Sequence, residues 1–244
     1  MKELNCFNFN TTLKSLSDIF NINKEELISF LQLNRNFQLS EDELFLKLQE
    51  EKEISTNYDS TIFFHLTRCN KEAIINIQKN GIYSTTKSYS EIISYIYHFD
   101  NHNMSKNEFV LYLEKVIENN KSLYDYINID KGPYALLIND VNIINYHFLS
   151  EFQGSEMIED IFKMLYQNEY RKKLFEYNKN TKPIIVIFRK NISKEKYLKT
   201  ALYFLWCVIS KSEWQDCFNR SIDFLIDYNM KVNPTDIIKI VNIN

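Results

Sequence analysis

The sequence contains very few of the residues that form tight turns and phosphate-binding loops. Its 244 residues include three glycines and three prolines. A Walker-type phosphate loop and a dinucleotide-binding fingerprint each need closely spaced glycines, so the composition excludes both kinds of nucleotide site. The nucleophile elbow Gly-x-Ser-x-Gly is also absent. Such a composition favours long helices and few tight turns, although a codon usage rich in Asn, Ile and Lys would also deplete Gly and Pro.

Paired cysteines and an apolar leader are absent as well. The four cysteines, Cys6, Cys69, Cys207 and Cys217, form no Cys-x-x-Cys motif, which is the spacing typical of zinc and redox sites. The first residues, MKELNCFNFN, lack the apolar run of a signal peptide. We therefore expect a protein of the reducing cytoplasm.

Neither the charge nor the hydropathy indicates a nucleic-acid-binding or membrane protein. The formal net charge is -3 and the pI is near 5.9. No global basic field attracts phosphates, so we do not expect strong non-specific binding to DNA. The most apolar stretch, residues 201–209, is too short to cross a bilayer. We expect no transmembrane segment.

The composition is that of an ordinary globular protein, with 45% hydrophobic and 25% charged residues. The succession of elements predicts an α+β fold that is helix-rich, with a small mixed or antiparallel sheet and an N-terminal helical subdomain. We predict that this subdomain covers residues 1–52 and that the α+β domain covers residues 55–244. The polar residues 51–60 are interpreted as a linker.

Three short helices are predicted within residues 11–51, and capping signals at Asn23 and Ser40 start two of them. The segment SLSDIFNINKEELISFL has the proportions of a helix-turn-helix motif, which raises the alternative of DNA reading. Its second helix begins with acidic residues, whereas phosphate contacts need positive charge. A helical packing or interaction subdomain is therefore the interpretation that we favour.

The remaining elements follow from periodicity and capping signals. The segment PIIVIF, residues 183–188, is apolar throughout, so we expect a central strand that is buried on both faces. Residues 141–149 fit a strand or a short helix. Other strands are predicted at 134–138 and 237–243, and helices at 88–99, 105–119, 155–177 with a break near Gln167, 193–210 and 212–228.

One stretch, residues 61–85, places polar side chains at the end of a predicted strand. Residues 61–66 are β-branched and aromatic, which favours a strand. Asn70 can cap a following helix, and Gly81 can end that helix because glycine tolerates the left-handed conformation. Junctions of this kind often carry function in α/β units. The polar residues expected at the junction are His65, Thr67 and Arg68.

Two other groups of residues could carry chemistry. His98 and His102 are four residues apart and, with Asp100, could offer metal ligands on one helical face. A helix end entering a loop, with no further ligand nearby, is the simpler interpretation, so we predict no metal site. Cys69 beside Arg68 could be a thiol of lowered pKa at a helix N-terminus. A buried, inert cysteine is the alternative that we favour.

Residues 63–82, FFHLTRCNKEAIINIQKNGI, resemble the opening of the ADP-ribosyltransferase-like fold. In several of its branches, including DNA-targeting ADP-ribosyltransferase toxins and the tRNA 2′-phosphotransferases, a first strand ends in His-x-Thr. A helix that ends in Ile-x-x-x-Gly followed by Ile or Leu comes next. His65 and Thr67 match the first motif, and the segment from Ile77 to Ile82 matches the second. The resemblance covers under a fifth of the chain.

The resemblance implies that NAD is a substrate. By this resemblance His65 would contact a hydroxyl of the ribose next to nicotinamide. Glu156, with Glu151 as the fallback, would orient that ribose and stabilise the positive charge that develops as nicotinamide leaves. One of three tyrosines would stack on the nicotinamide ring. The candidates for the other NAD contacts are Thr67, Arg68, Gln153, Tyr83, Tyr89 and Tyr95.

The sequence departs from this family at two points. The Glu-x-Glu or Gln-x-Glu pair of the protein- and guanine-modifying branches is absent, because Gln153 and Glu156 are three residues apart. The Ser-Thr-Ser strand is also absent, since Ser-Thr-Thr at 84–86 lies too early in the chain. These departures leave the class of acceptor and the catalytic competence of the site open.

Three hypotheses for the function follow. The first is a cytoplasmic, NAD-dependent ADP-ribosyltransferase that modifies a macromolecule, protein or nucleic acid, as a toxin or phage-defence effector. The second is a non-catalytic interaction or regulatory protein whose N-terminal helices bind a partner or DNA. The third is a binding module that retains the NAD site without the reaction.

Overall fold

The computed structural model describes residues 1–83, 93–94, 96–97, 99, 105–118, 133–139, 156–211, 222–224 and 231–243. Within them the chain is helix-rich with a small mixed sheet, and it belongs to the α+β class, as the sequence predicts. The helices are α1 Phe9–Phe20, α2 Lys24–Leu33, α3 Glu41–Glu51, α4 Lys71–Asn80, α5 Lys106–Glu118, α6 Glu156–Tyr166, α7 Tyr170–Lys179 and α8 Glu195–Ser210. The strands are β1 Glu3–Leu4, β2 Ser60–Cys69, β3 Tyr134–Leu136, β4 Lys182–Lys190, β5 Ile222–Phe224 and β6 Ile237–Asn242.

The strands form a sheet in the order β5-β3-β2-β4-β6, with β1 paired to β2 outside this path. β1 runs parallel to β2, with Glu3 opposite Ser60. β3 runs antiparallel to β2, with Phe64 opposite Leu136, so the sheet is mixed. β4 contains the predicted PIIVIF strand and lies between β2 and β6. Its central position is confirmed.

Contacts divide the chain into two compact units, and β2 and β4 each contribute residues to both. The three N-terminal helices belong to the same unit as α8. The predicted boundary between residues 52 and 55 remains a prediction. Unit 1 comprises Met1–His65, Ala135–Asn145 and Ile187–Asp223, and unit 2 comprises Leu66–Tyr134, Tyr146–Val186 and Phe224–Asn244.

In unit 1, the three N-terminal helices form where the sequence predicts them and pack against α8. The Asn23 side chain accepts a hydrogen bond from the Glu26 amide at 2.7 Å, and Ser40 forms a capping box at the start of α3. On α8, the buried Trp206 donates its indole N–H to the Asn34 carbonyl at 3.1 Å. Trp206 therefore contributes to helix packing.

In unit 2, a hydrophobic core forms between α5, α6 and α7. The rings of Phe162 on α6 and Tyr177 on α7 meet with their centroids 5.3 Å apart. Ile93 and Ile96, which lie in helical backbone as the sequence predicts, add to this core. The other buried members are Phe109, Leu113, Ile117, Ile158, Ile161 and Leu174.

Within residues 61–83 the predicted strand, helix cap and helix end all form, and the strand extends farther than predicted. The Asn70 side chain accepts a hydrogen bond from the Ala73 amide at 2.7 Å and caps α4. Gly81 follows the helix with φ of 84°, a conformation that strains any residue with a Cβ. The next residue, Ile82, exchanges two backbone hydrogen bonds of 3.0 Å with Val232.

One strand boundary and one helix assignment that were predicted from the sequence were wrong. β2 continues to Cys69 instead of ending near residue 66, because pairing in a sheet sustains extended backbone beyond the apolar run. Residues 222–224, predicted to be helical, form β5 beside β3, so pairing in the sheet overrides the helical periodicity there. Predicted elements at 141–149 and at 212–221 lie outside the described residues.

No helix in the described ranges is long and apolar enough to span a membrane.

Replacing Gly81 with alanine will lower the stability of the fold strongly. An added Cβ would lie 1.9 Å from the Val232 carbonyl oxygen, and that oxygen is backbone that cannot move independently. The positive φ adds strain. We expect the free energy of unfolding, measured with urea, to fall by more than about 2 kcal/mol. The exposed Gln78→Ala on the same helix is the control, and a Gly81→Ala protein as stable as the control would contradict the Ile82–Val232 bridge.

Candidate functional site

The polar residues predicted at the strand–helix junction lie within β2 itself. Because β2 extends to Cys69, His65, Thr67 and Arg68 are strand residues, and all three are half-buried. Side chains alternate along a strand, so His65, Thr67 and Cys69 point to one face of the sheet, and Arg68 points to the other. The sequence-predicted group is therefore divided between two faces.

Arg68 binds the carboxyl end of helix α7. Its Nε donates to the Thr181 hydroxyl oxygen at 3.3 Å. Its Nη2 donates to the Asn178 carbonyl at 3.1 Å and to the Thr181 carbonyl at 3.3 Å. The carbonyls at a helix C-terminus carry partial negative charge, so a guanidinium is a favourable partner there. Arg68 thus joins β2 to the point where α7 ends and β4 begins.

The acceptors of Arg68 are buried and are organised by local bonds. Asn178 is 1% exposed and Thr181 is 5% exposed. The Thr181 amide and hydroxyl both donate to the Asn178 carbonyl at 3.1 Å. The Thr181 hydroxyl therefore donates to the helix end and accepts from Arg68. Such buried carbonyls need partners, because an unsatisfied buried acceptor costs about 1–3 kcal/mol.

Glu156 is the first residue of α6, which forms a helical hairpin with α7. Three residues of 3-10 helix, Gln167–Glu169, join the two helices, with Gln167 at a φ of 45°. The predicted break near Gln167 is therefore confirmed. Helices joined by so short a loop run antiparallel, and the contact between Phe162 and Tyr177 agrees with that arrangement. The start of α6 and the end of α7 consequently lie at the same end of the hairpin.

Thr67 and Cys69 interact on the other face of β2. Burial raises the pKa of the Cys69 thiol to about 11, and a hydrogen bond with Thr67 offsets part of that rise. The raised pKa is the reverse of what a nucleophilic thiol requires, so it supports the inert-cysteine interpretation. Cys6 is likewise free and buried, whereas Cys207 is disulfide-bonded. Because free thiols suit a reducing compartment and a disulfide suits an oxidising one, the cytoplasmic location stays a prediction.

Tyr83 is half-buried two residues after Gly81. The Lys231 ammonium lies over its ring, 4.6 Å from the centroid. This cation–π contact shows that one face of the ring is electrostatically suited to a positive group. The Lys231 ammonium therefore occupies one face of the Tyr83 ring.

Several candidates lie outside the described residues. The three metal candidates are among them, and within the described part of the chain no group of side chains could hold a metal ion. Of the NAD-site candidates, Glu156 is described only as the helical start of α6. The residues outside the described ranges are Gln153, Glu151, Tyr89, Tyr95, His98, Asp100 and His102.

Sequence reasoning missed Thr181, Asn178 and Lys231. The segment Asn-Lys-Asn-Thr, residues 178–181, carries a weak signal, because Asn and Thr commonly end a helix before a strand. Arg68, which binds both Asn178 and Thr181, is 110 residues from Asn178 in the sequence. No local pattern reports a pairing at that distance.

Unit 1 contains a separate polar cleft of about 790 Å³ beside β1 and α1. None of the residues that line it belongs to the predicted NAD site. Its lining includes Lys2, Asn5, Lys14, Ser17, Asp18 and Asn21.

Comparison with models of protein families, with curated proteins and with solved structures gave no match for this chain.

Cys69 will resist alkylation in the folded protein. With a pKa of about 11, only about one thiol in a thousand is ionised at pH 8, and the side chain is 8% exposed. We expect iodoacetamide at pH 8 to leave Cys69 unmodified in the native protein and to modify it rapidly in denaturant, as measured by peptide mass spectrometry. Rapid native modification that saturates below pH 8 would indicate a lowered pKa and would support the nucleophile interpretation.

Proposed function

We propose that the protein is an NAD-dependent ADP-ribosyltransferase of the cytoplasm that modifies a macromolecule. NAD is the donor, and the acceptor is a protein or a nucleic acid, as for a toxin or phage-defence effector. His65 and Glu156 are the catalytic residues of this proposal. The NAD contacts of this proposal are Thr67, Tyr83, Tyr89 and Gln153, whereas Arg68, which the resemblance also suggested, binds the end of α7.

The observation that carries the proposal is the junction of β2 with the α6–α7 hairpin. Arg68 binds the end of α7, and Glu156 begins α6 at the same end of that hairpin. Phe162 is six residues beyond Glu156, about 9 Å along the helix axis, and Phe162 packs on Tyr177 near the end of α7. The start of α6 is therefore at the same end of the hairpin as the contact with Arg68, and this arrangement supports the proposal.

The chemistry requires a negative charge that is held in place. As nicotinamide leaves, positive charge develops on the ribose carbon, and a fixed carboxylate stabilises that charge when the site excludes water. A residue at the start of a packed helix is held more firmly than one in a loop. In this proposal the cationic nicotinamide ring stacks on Tyr83, where it would take the place of the Lys231 ammonium.

The test uses substitutions of the two catalytic candidates. We expect His65→Ala and Glu156→Gln each to reduce NAD-dependent labelling of macromolecules about 100-fold or more, measured with an NAD analogue labelled on the adenine side. Glu156→Gln preserves size and removes charge, so the loss would report on the carboxylate. Circular dichroism and the thermal unfolding midpoint verify that each variant folds.

Glu159→Gln is the matched control for Glu156→Gln. Glu159 lies on the same helix and pairs with Lys163 at 3.1 Å, a surface pair of small energetic value. Its loss should leave labelling unchanged. Labelling that survives in both His65→Ala and Glu156→Gln would reject the proposal.

A second candidate function has support from the surface of unit 1. Three large apolar side chains of α2, α3 and the loop between them are exposed, with Leu33 at 75%, Phe37 at 54% and Leu46 at 55%. Lys47 covers one face of Phe37 at 4.7 Å. Exposed apolar residues can mark a protein-binding surface, so an interaction or regulatory protein that binds a partner through these helices is the alternative.

This alternative is best tested by substitution, not by deletion of the N-terminal helices. Removing residues 1–50 would also remove the helices that cover α8, whose inner residues, Trp206 among them, are buried. We expect Leu33→Glu and Leu46→Glu to weaken binding of a partner, identified by cross-linking and then purified, about tenfold or more in calorimetry. Ile75→Glu, at an equally exposed residue of unit 2, is the control. Partner binding that is insensitive to both changes would remove this candidate.

A further inference from the structure

We infer that Arg68 is a positioning residue that fixes the α6–α7 hairpin on β2, instead of a residue that touches NAD. The inference rests on the proposed function, and it replaces the contact with NAD that the resemblance suggested for this side chain. It assigns to Arg68 the task of holding the helix that begins with Glu156.

The Arg68 side chain points away from the face of β2 that carries His65 and Thr67. Arg68 is one residue after Thr67 and three after His65 on the same strand. An odd spacing on a strand places side chains on opposite faces. Arg68 therefore points to the opposite face of the sheet from His65 and Thr67. This arrangement disfavours a contact of all three residues with one ligand.

The guanidinium of Arg68 already binds several acceptors within the protein. Two of its nitrogens, Nε and Nη2, donate to Thr181 and Asn178 in three hydrogen bonds of 3.1–3.3 Å. Both acceptor residues are almost fully buried. Turning Arg68 toward a pyrophosphate would break all three bonds, including the one to the Thr181 carbonyl, which is unfavourable; the Asn178 carbonyl would keep the amide and hydroxyl of Thr181 as donors.

The bonds of Arg68 lie at one end of the hairpin. Asn178 is in the last turn of α7, and Thr181 directly precedes β4. The start of α6, at Glu156, lies at the same end of the antiparallel hairpin. Anchoring the end of α7 on β2 therefore restricts the tilt of the whole hairpin, and through it the position of the first turn of α6.

The planar fork of arginine suits this task better than lysine does. Arg68 donates from nitrogens that point in different directions and so bridges a hydroxyl and two carbonyls. A lysine ammonium retains the charge at the helix end but cannot span the same acceptors with fixed geometry. Arg68→Lys should therefore restore part of the function that Arg68→Gln loses.

The experiment compares Arg68→Gln, Arg68→Lys and Arg171→Gln in steady-state kinetics, NAD binding and hydrogen exchange. Arg171→Gln removes the same charge from an exposed site on α7 and is the matched control. For Arg68→Gln we expect kcat to fall about 10- to 100-fold, with the KM and the Kd for NAD unchanged. Backbone amides in the first turn of α6 and the last turn of α7 should exchange faster in this variant only, and Arg68→Lys should be intermediate.

The outcomes separate this inference from the proposed function. A raised Kd for NAD with unchanged kcat in Arg68→Gln would show that Arg68 binds NAD and would overturn the inference. Unchanged hydrogen exchange of the hairpin would overturn it as well. A wild-type protein without any NAD-dependent labelling would reject the proposed function, and the catalytic part of the inference with it. Faster exchange in Arg68→Gln would in that case still support Arg68 as the anchor of the hairpin.

Discussion

The burial of β2 is the constraint on which the rest of the structure depends. The first five residues of this ten-residue strand, Ser60–Phe64, are buried, and the last of them pairs with β3. The half-buried polar side chains His65, Thr67 and Arg68 lie in the second half of the strand, whereas the polar residues of the first half, Ser60 and Thr61, are fully buried. Because β2 pairs with β1 and β3 and neighbours β4 in the sheet order, its position fixes where each of these strands can lie. The half-buried segment from His65 to Arg68 thus follows directly after five buried residues of the same strand.

Arg68 illustrates how a charged residue is accommodated at such a place. A half-buried guanidinium loses hydration, and this loss must be offset by hydrogen bonds and favourable charge. The end of α7 offers both, since its last carbonyls need donors and carry the negative end of the helix dipole. The same bonds satisfy the Asn178 and Thr181 carbonyls. One interaction therefore stabilises a strand residue and a helix terminus together.

The sequence predicted the features that depend on neighbouring residues. Asn70 and Ser40 cap helices as their types and spacing indicate, and the change at Gln167 divides a helical segment as expected. Residues 222–224 were predicted wrongly because their pairing with β3 depends on a strand far away in the chain. The bonds between Arg68 and Thr181 could not be predicted for the same reason, because the two residues are 113 positions apart in the sequence. At the candidate site, the sequence predicted which polar residues lie near the end of β2. It did not predict to which face of the sheet each side chain points, because that depends on how far the strand extends.

The two candidate functions use different parts of the chain, so support for one does not weaken the other. The enzyme hypothesis depends on the end of β2 and on the hairpin that Glu156 begins. The interaction hypothesis depends on exposed apolar side chains of α2 and α3, which are in unit 1. An enzyme that modifies a macromolecule needs affinity for that macromolecule in addition to a site for NAD, because binding energy away from the reacting atoms is what orients so large a substrate. A surface that binds a partner and a site that binds NAD would then be two requirements of a single activity.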